Sequence, residues 1–211
     1  MQQPDLTSNG LEPATWSAWL ARRISDVFSP PVLSGSVAVL LTRLATPTWL
    51  AALTWSALYI LLADLVPLAY LIRLVRQGKV GDLHVAIRDQ RLRPLAVTLV
   101  CTAAAFVAAI ALGAPRPLSV FLGIGLIQAM LLTAVTVFWQ ISFHAAAASA
   151  LVCAFAVVYG TFAALLLAPI LFAVAWARLR LKRHTFRQVV AGAALSGVLY
   201  GPVLAYALLP R

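Results

Sequence analysis

An all-α, polytopic bundle of membrane helices is the fold class this sequence predicts, and three observations carry the prediction. Hydrophobic residues fill 63% of the 211 positions and charged residues only 10%, more apolar surface than a soluble monomer can hide from water. The mean hydropathy is +0.95. Apolar runs of spanning length recur along the chain, punctuated by short segments that hold Pro, Gly and most of the charge.

The elements follow in order. Residues 1–30 form a polar terminus and an interfacial helix: between 13 and 28, Trp16, Trp19, Leu20, Ile24, Val27 and Phe28 recur at helical spacing with Arg22, Arg23 and Asp26 elsewhere on the wheel. No basic region precedes a single apolar block, so this stretch does not read as a signal peptide. Pro30 and Pro31 end it, and residues 31–211 read as one transmembrane domain. Its first span, 32–45, is short and breaks at Pro47. A longer one, 48–74, contains Asp64 and Pro67. Spans at 94–113 and 117–139 are separated by Gly113, Pro115 and Pro117, and each suits a hydrocarbon core of roughly 30 Å.

Residues 143–180 would make a single helix of about 57 Å, too long for one crossing. The sequence predicts a break near Tyr159, Gly160 and Thr161, giving two helices of about 25 Å each. A last span covers 186–209. The break matters beyond the boundary, because only two crossings bring His144 and His184 to the face that carries Arg88, Arg91 and Arg93. Trp139 and Trp176 then fall at that same interface, where indoles prefer to lie.

The formal charge of +10 does not point to nucleic acid, since the basic residues lie between apolar segments and form no soluble basic domain. Membrane lipid headgroups and phosphorylated lipids are the partners expected; nothing in the sequence sets an oligomeric state. Most arginines and lysines fall on the face of the polar islands, with Arg43, Arg116 and Arg211 toward the other, which by the positive-inside rule places the islands in the cytoplasm. Cys101 and Cys153 lie in apolar runs and read as small hydrophobes, not as a disulfide or metal ligands.

Three polar islands hold the candidate chemistry: Arg88 through Pro94, Ser142 to His144, and Arg178 with His184 and Gln188. Arginine grips phosphoryl oxygens with a planar fork of donors and stays charged at any working pH, so Arg88, Arg91, Arg93 and Arg178 read as phosphate clamps or as positive anchors at helix ends. Ser142 is placed to cap a helix beginning at 143, where free backbone N–H groups favour an anion. His144 in its first turn is placed to protonate a leaving oxygen, or is simply an interfacial histidine. His184 is the candidate nucleophile toward phosphorus, and Gln188, four residues on along a helix, its orienter; the alternative is a basic loop with a chance histidine.

In order and spacing these islands resemble the type 2 phosphatidic acid phosphatase superfamily of membrane lipid phosphatases. Its patterns are Lys-x6-Arg-Pro, Pro-Ser-Gly-His and Ser-Arg-x5-His-x3-Asp, and the resemblance covers residues 86 to 188. It implies a core of six helices, here with the interfacial helix and one additional short span. It further implies that Arg93 and Arg178 hold phosphate, Ser142 and adjacent amides assist, His144 is the general acid, and His184 forms a phosphohistidine, with no metal or other cofactor required. Departures are Ala86, Ile141, Phe143, Ala177 and Gln188 at the family's Lys, Pro, Gly, Ser and Asp. An amide at 188 carries no charge to stabilise an imidazolium, and the analogous loss in serine-protease triads costs about 10⁴ in rate. The run His184, Thr185, Gln188, Val189 is similar to the third motif of the dolichyl diphosphatase branch, which favours a polyprenyl diphosphate over phosphatidate. The alternative is a degenerate relative, a membrane subunit that binds lipid phosphate without turnover. A third reading, a transporter or prenyltransferase-like protein, has little room, since the magnesium-dependent prenyltransferases need two aspartate-rich motifs and this chain has none.

Overall fold

A computed structural model describes residues 15–83, 85 and 90–208. The expectations for Arg88, for Ala86 and for the polar N-terminal residues lie outside that range. Among the described residues there are eight helices and no strand: α1 (Trp16–Val27), α2 (Pro30–Ala45), α3 (Trp49–Arg76), α4 (Leu92–Ala111), α5 (Arg116–Phe138), α6 (Phe143–Tyr159), α7 (Thr161–Arg180) and α8 (Phe186–Leu208). Five of them, α3, α4, α5, α7 and α8, are long and apolar enough to cross a membrane, and α1 with α2, bent by 41° at their junction, make a sixth candidate. In each of the five, only 17–28% of the most apolar window is buried inside the protein. The remaining apolar surface has lipid as its natural solvent.

The breaks occur where local chemistry demands them. Gly160 has φ 84° and ψ 179°, a region open essentially to glycine alone, so the chain turns there and α7 folds back along α6. The predicted division of 143–180 is what the structure shows. Within α3, residues Ile60–Leu65 widen to a π-helical turn in which Val66 N–H bonds back to Leu61. Pro67 follows it, with no N–H to give the ladder and a ring that crowds the preceding turn.

α6 is the central helix. It packs on α8 and α7 and also on α2, and its Ala-rich sequence leaves room for those neighbours: Ala145, Ala146, Ala148 and Ala154 are all fully buried. The closest approach is at Gly192 of α8, where a Cβ would stand 2.4 Å from the Ser142 carbonyl oxygen. Gly201, further along the same helix, has nothing within 4 Å.

α1 is amphipathic as expected. It buries Ala18, Ala21 and Ser25 and leaves Trp16 and Trp19 exposed. Arg180 at the end of α7 ties it down, donating to Ser17 Oγ at 3.1 Å and Thr15 Oγ1 at 2.9 Å. Trp139 and Trp176 are exposed near the helix ends that carry the islands.

Candidate functional site

The end of α7 positions the third island. Its last carbonyls are satisfied by a reversal in which Lys182 N–H bonds to Leu179 O and Arg183 N–H to Arg178 O, with Lys182 at φ 52°. This paired bonding with a left-handed residue past the helix end is a Schellman motif, here built without the usual glycine. It turns the chain back over the helix end and sets His184 beside Arg178. Thr185, the residue before α8, donates its N–H to Gln188 Oε1 at 2.9 Å. Thr185-x-x-Gln188 is thus the returning half of a capping box.

The second island caps α6. Ser142 is fully buried, its Oγ accepts from Ala145 N–H at 3.4 Å, and its own N–H donates to the Gln188 carbonyl at 3.2 Å. That last bond, together with Gly192 packed on the Ser142 carbonyl, locks the start of α8 to the start of α6. His144 and His184 are brought to one place by this contact.

The first island is read through α4. Arg91, Pro94, Leu95, Thr98 and Thr102 all line one cavity, the i, i+3, i+4 spacing of a single helix stripe. Arg93 falls off that stripe and is exposed. The guanidinium facing inward is therefore that of Arg91, which is buried and donates from Nε to the Val85 carbonyl at 2.7 Å.

The cavity has a volume of about 590 Å³, within the range that small-ligand sites occupy. Arg91, His144, Arg178 and His184 line its polar end; Leu68, Leu95, Phe121 and Leu132 are among the apolar residues that continue it toward the middle of the bundle. Phe143, at the family's glycine, also borders it. Arg93, Ser142 and Gln188 do not. The structure thus gathers four of the sequence-derived site residues on the cavity wall and leaves these three off it: Arg93 by helix phase, Ser142 as the cap of α6, and Gln188 as a cap of α8 whose side chain also hydrogen-bonds His184. The Thr-x-x-Gln signature would have announced the second of those caps in the sequence.

Electrostatics at this end are unbalanced. Arg178 is 1% exposed, and its Nε and Nη1 have no hydrogen-bond partner among the described residues. Among the described residues, Arg91 and Arg183 act on it and on His184, while Asp82, a carboxylate that also acts on it, is engaged by Arg183 at 2.8 Å. Desolvated cations in this number call for an anion, since an unpaired buried charge costs several kcal/mol. Burial, followed by Arg178 and Arg91, pushes the His184 imidazole from its ordinary 6.5 down to about 3, although the Gln188 amide beside the ring pulls the other way. The ring is therefore neutral at physiological pH, and its Nδ1 has no hydrogen-bond partner among the described residues. No group of three or more His, Cys, Asp or Glu able to hold a metal occurs among the described residues.

Fold and site together define a polytopic helical membrane protein with a mostly apolar chamber whose polar end is basic. Compared with known protein families, curated proteins and solved structures, the chain matches none.

Proposed function

We propose that this protein is a membrane lipid phosphatase of the type 2 phosphatidic acid phosphatase kind, acting on a polyprenyl phosphate or diphosphate or on a phospholipid phosphate. One observation carries the reading: a nearly fully buried Arg178, with donors unpaired among the described residues, and a neutral His184 border the same cavity, which continues as an apolar chamber suited to a lipid chain. Arg178 and Arg91 hold the phosphoryl oxygens. A ring nitrogen of His184 attacks phosphorus, the bond from phosphorus to the leaving oxygen breaks, and His144 gives that oxygen its proton. Water then attacks the phosphohistidine, His144 takes the water's proton, and inorganic phosphate leaves. As phosphorus bonds to the ring the imidazole becomes cationic, which a bound phosphate dianion favours and the arginines oppose. The polar end faces the cytoplasm by the distribution of lysine and arginine.

A second reading, a lipid-phosphate-binding subunit without turnover, is favoured by the Gln188 Oε1 bond to Thr185. An acceptor spent on a cap orients the nucleophile less firmly than a carboxylate. The two readings separate in phosphate release from prenyl diphosphates, prenyl phosphates and phosphatidate by detergent-purified protein in EDTA. Release by the wild type that is lost in His184→Ala is the expected result. Saturable lipid-phosphate binding with no release from any of these lipids selects the second reading.

A further inference from the structure

The cavity has a second polar pole, set deeper in the bundle. Asp64 lies on the π-helical turn of α3, is buried, and borders the cavity together with Ser34 of α2, Tyr59 of α3, Phe121 of α5 and Tyr200 of α8. Ser34 Oγ stands 3.0 and 3.2 Å from the two carboxylate oxygens and 2.8 Å from the Pro30 carbonyl. A hydroxyl has one proton to divide among these acceptors, whereas a carboxylate offers about four lone-pair sites. Arg73, further along the same helix, is exposed on its last turns. Electrostatic interactions link Arg91, Arg178, Arg183 and His184 to one another, and Asp64 to Tyr59. The two poles are thus distinct.

Three aromatic rings line the cavity with the carboxylate, and Tyr59 interacts with it electrostatically. Tyr59 and Phe121 have centroids 5.4 Å apart at 45°, and Phe121 and Tyr200 have centroids 5.7 Å apart at 57°. All three border the cavity, and among the described residues the carboxylate beside them accepts from Ser34 alone. Such a combination of a carboxylate with aromatic faces suits a cation that also donates hydrogen bonds, namely an alkylammonium.

We infer that the Asp64 pole is a subsite for an ammonium group carried by the lipid on the tail side of its phosphate. Its ligand is an amino lipid phosphate, anion at Arg178 and cation at Asp64. The identity of the anion rests on the proposed function; the ammonium subsite stands on its own residues. A plain prenyl chain would leave the Asp64 acceptors unanswered in an apolar chamber.

The test is thermal stabilisation of the full-length, detergent-purified protein by dodecylamine and by dodecanol, which share a tail and differ in charge. Saturable stabilisation by the amine at concentrations about tenfold below those needed for the alcohol is expected. In Asp64→Asn the amine loses that advantage, and in Ser34→Ala, which leaves the carboxylate less well held, it loses part of it. Equal responses to amine and alcohol in the wild type, or an undiminished amine preference in a folded Asp64→Asn protein, overturn the subsite. The wild-type comparison decides even where the Asp64 variant does not fold. None of these readouts needs turnover, so a protein that releases no phosphate and still prefers the amine refutes the phosphatase reading and leaves the subsite intact.

Discussion

Arg178 shows how far a single residue can depart from what stability alone would select. A guanidinium 1% exposed, with donors unpaired among the described residues and arginines for neighbours, is a standing cost to the fold, and replacing such a group by an apolar side chain of similar length is commonly stabilising. Arg178→Met should therefore raise ligand-free stability by about 1–3 kcal/mol while abolishing stabilisation by a lipid phosphate; thermal melts with and without lipid read both effects. His184 makes the complementary prediction in pH. Its pKa is about 3 folded and 6.5 ordinarily, so between those values the unfolded chain binds a proton that the native protein does not, and stability falls as pH drops from 6.5 toward 3. His184→Gln should flatten that decline in melts taken across the interval.

Element-scale features of the fold rest on two glycines that do different things. At Gly192 a methyl group would meet the Ser142 carbonyl oxygen at 2.4 Å, backbone against backbone, so Gly192→Ala must push α8 off α6 and part His184 from His144. At Gly160 nothing stands within 4 Å, and the cost of alanine is conformational only, about 1–3 kcal/mol. We expect Gly192→Ala to lose activity and stability together and Gly160→Ala to lose stability with its site unaltered, as melts and lipid-phosphate binding would report. Boundaries of this kind were largely legible in the sequence: a 143–180 run too long to cross once, with a lone glycine at its middle, has one physical resolution. Helix phase was not. Arg91 and Arg93 flank the same leucine, and in a helix apolar on every side no contrast of polarity tells which arginine faces inward. Gln188 serves both readings of its position, capping α8 through Thr185 and bonding the His184 side chain. The π-helical turn was equally hidden: Pro67 announces a perturbation, but the packing of α2 and α4 against it is not written in the local sequence.

For the molecule as a whole, composition fixed the solvent. The five apolar helices leave most of their surface to lipid, and the same chain that could not fold as a soluble monomer folds around a chamber with a basic outer end and an acidic, aromatic inner end. Short helices serve that arrangement as much as long ones do. α6, at 17 residues, is shorter than the five spanning helices and carries His144 in its first turn at the chamber, while the Schellman reversal after α7 returns His184 to the same cavity. A lipid phosphate reaching this pole would give the arginines their anion and the neutral imidazole its electrophile.

The most direct test of that account is to quench the protein during turnover of a lipid phosphate carrying radiolabelled phosphorus and to map the label. The account predicts a phosphoryl group that is labile in acid, stable in alkali and located on His184, absent from His184→Ala. Turnover with no covalent label, or a label on any other residue, would contradict it.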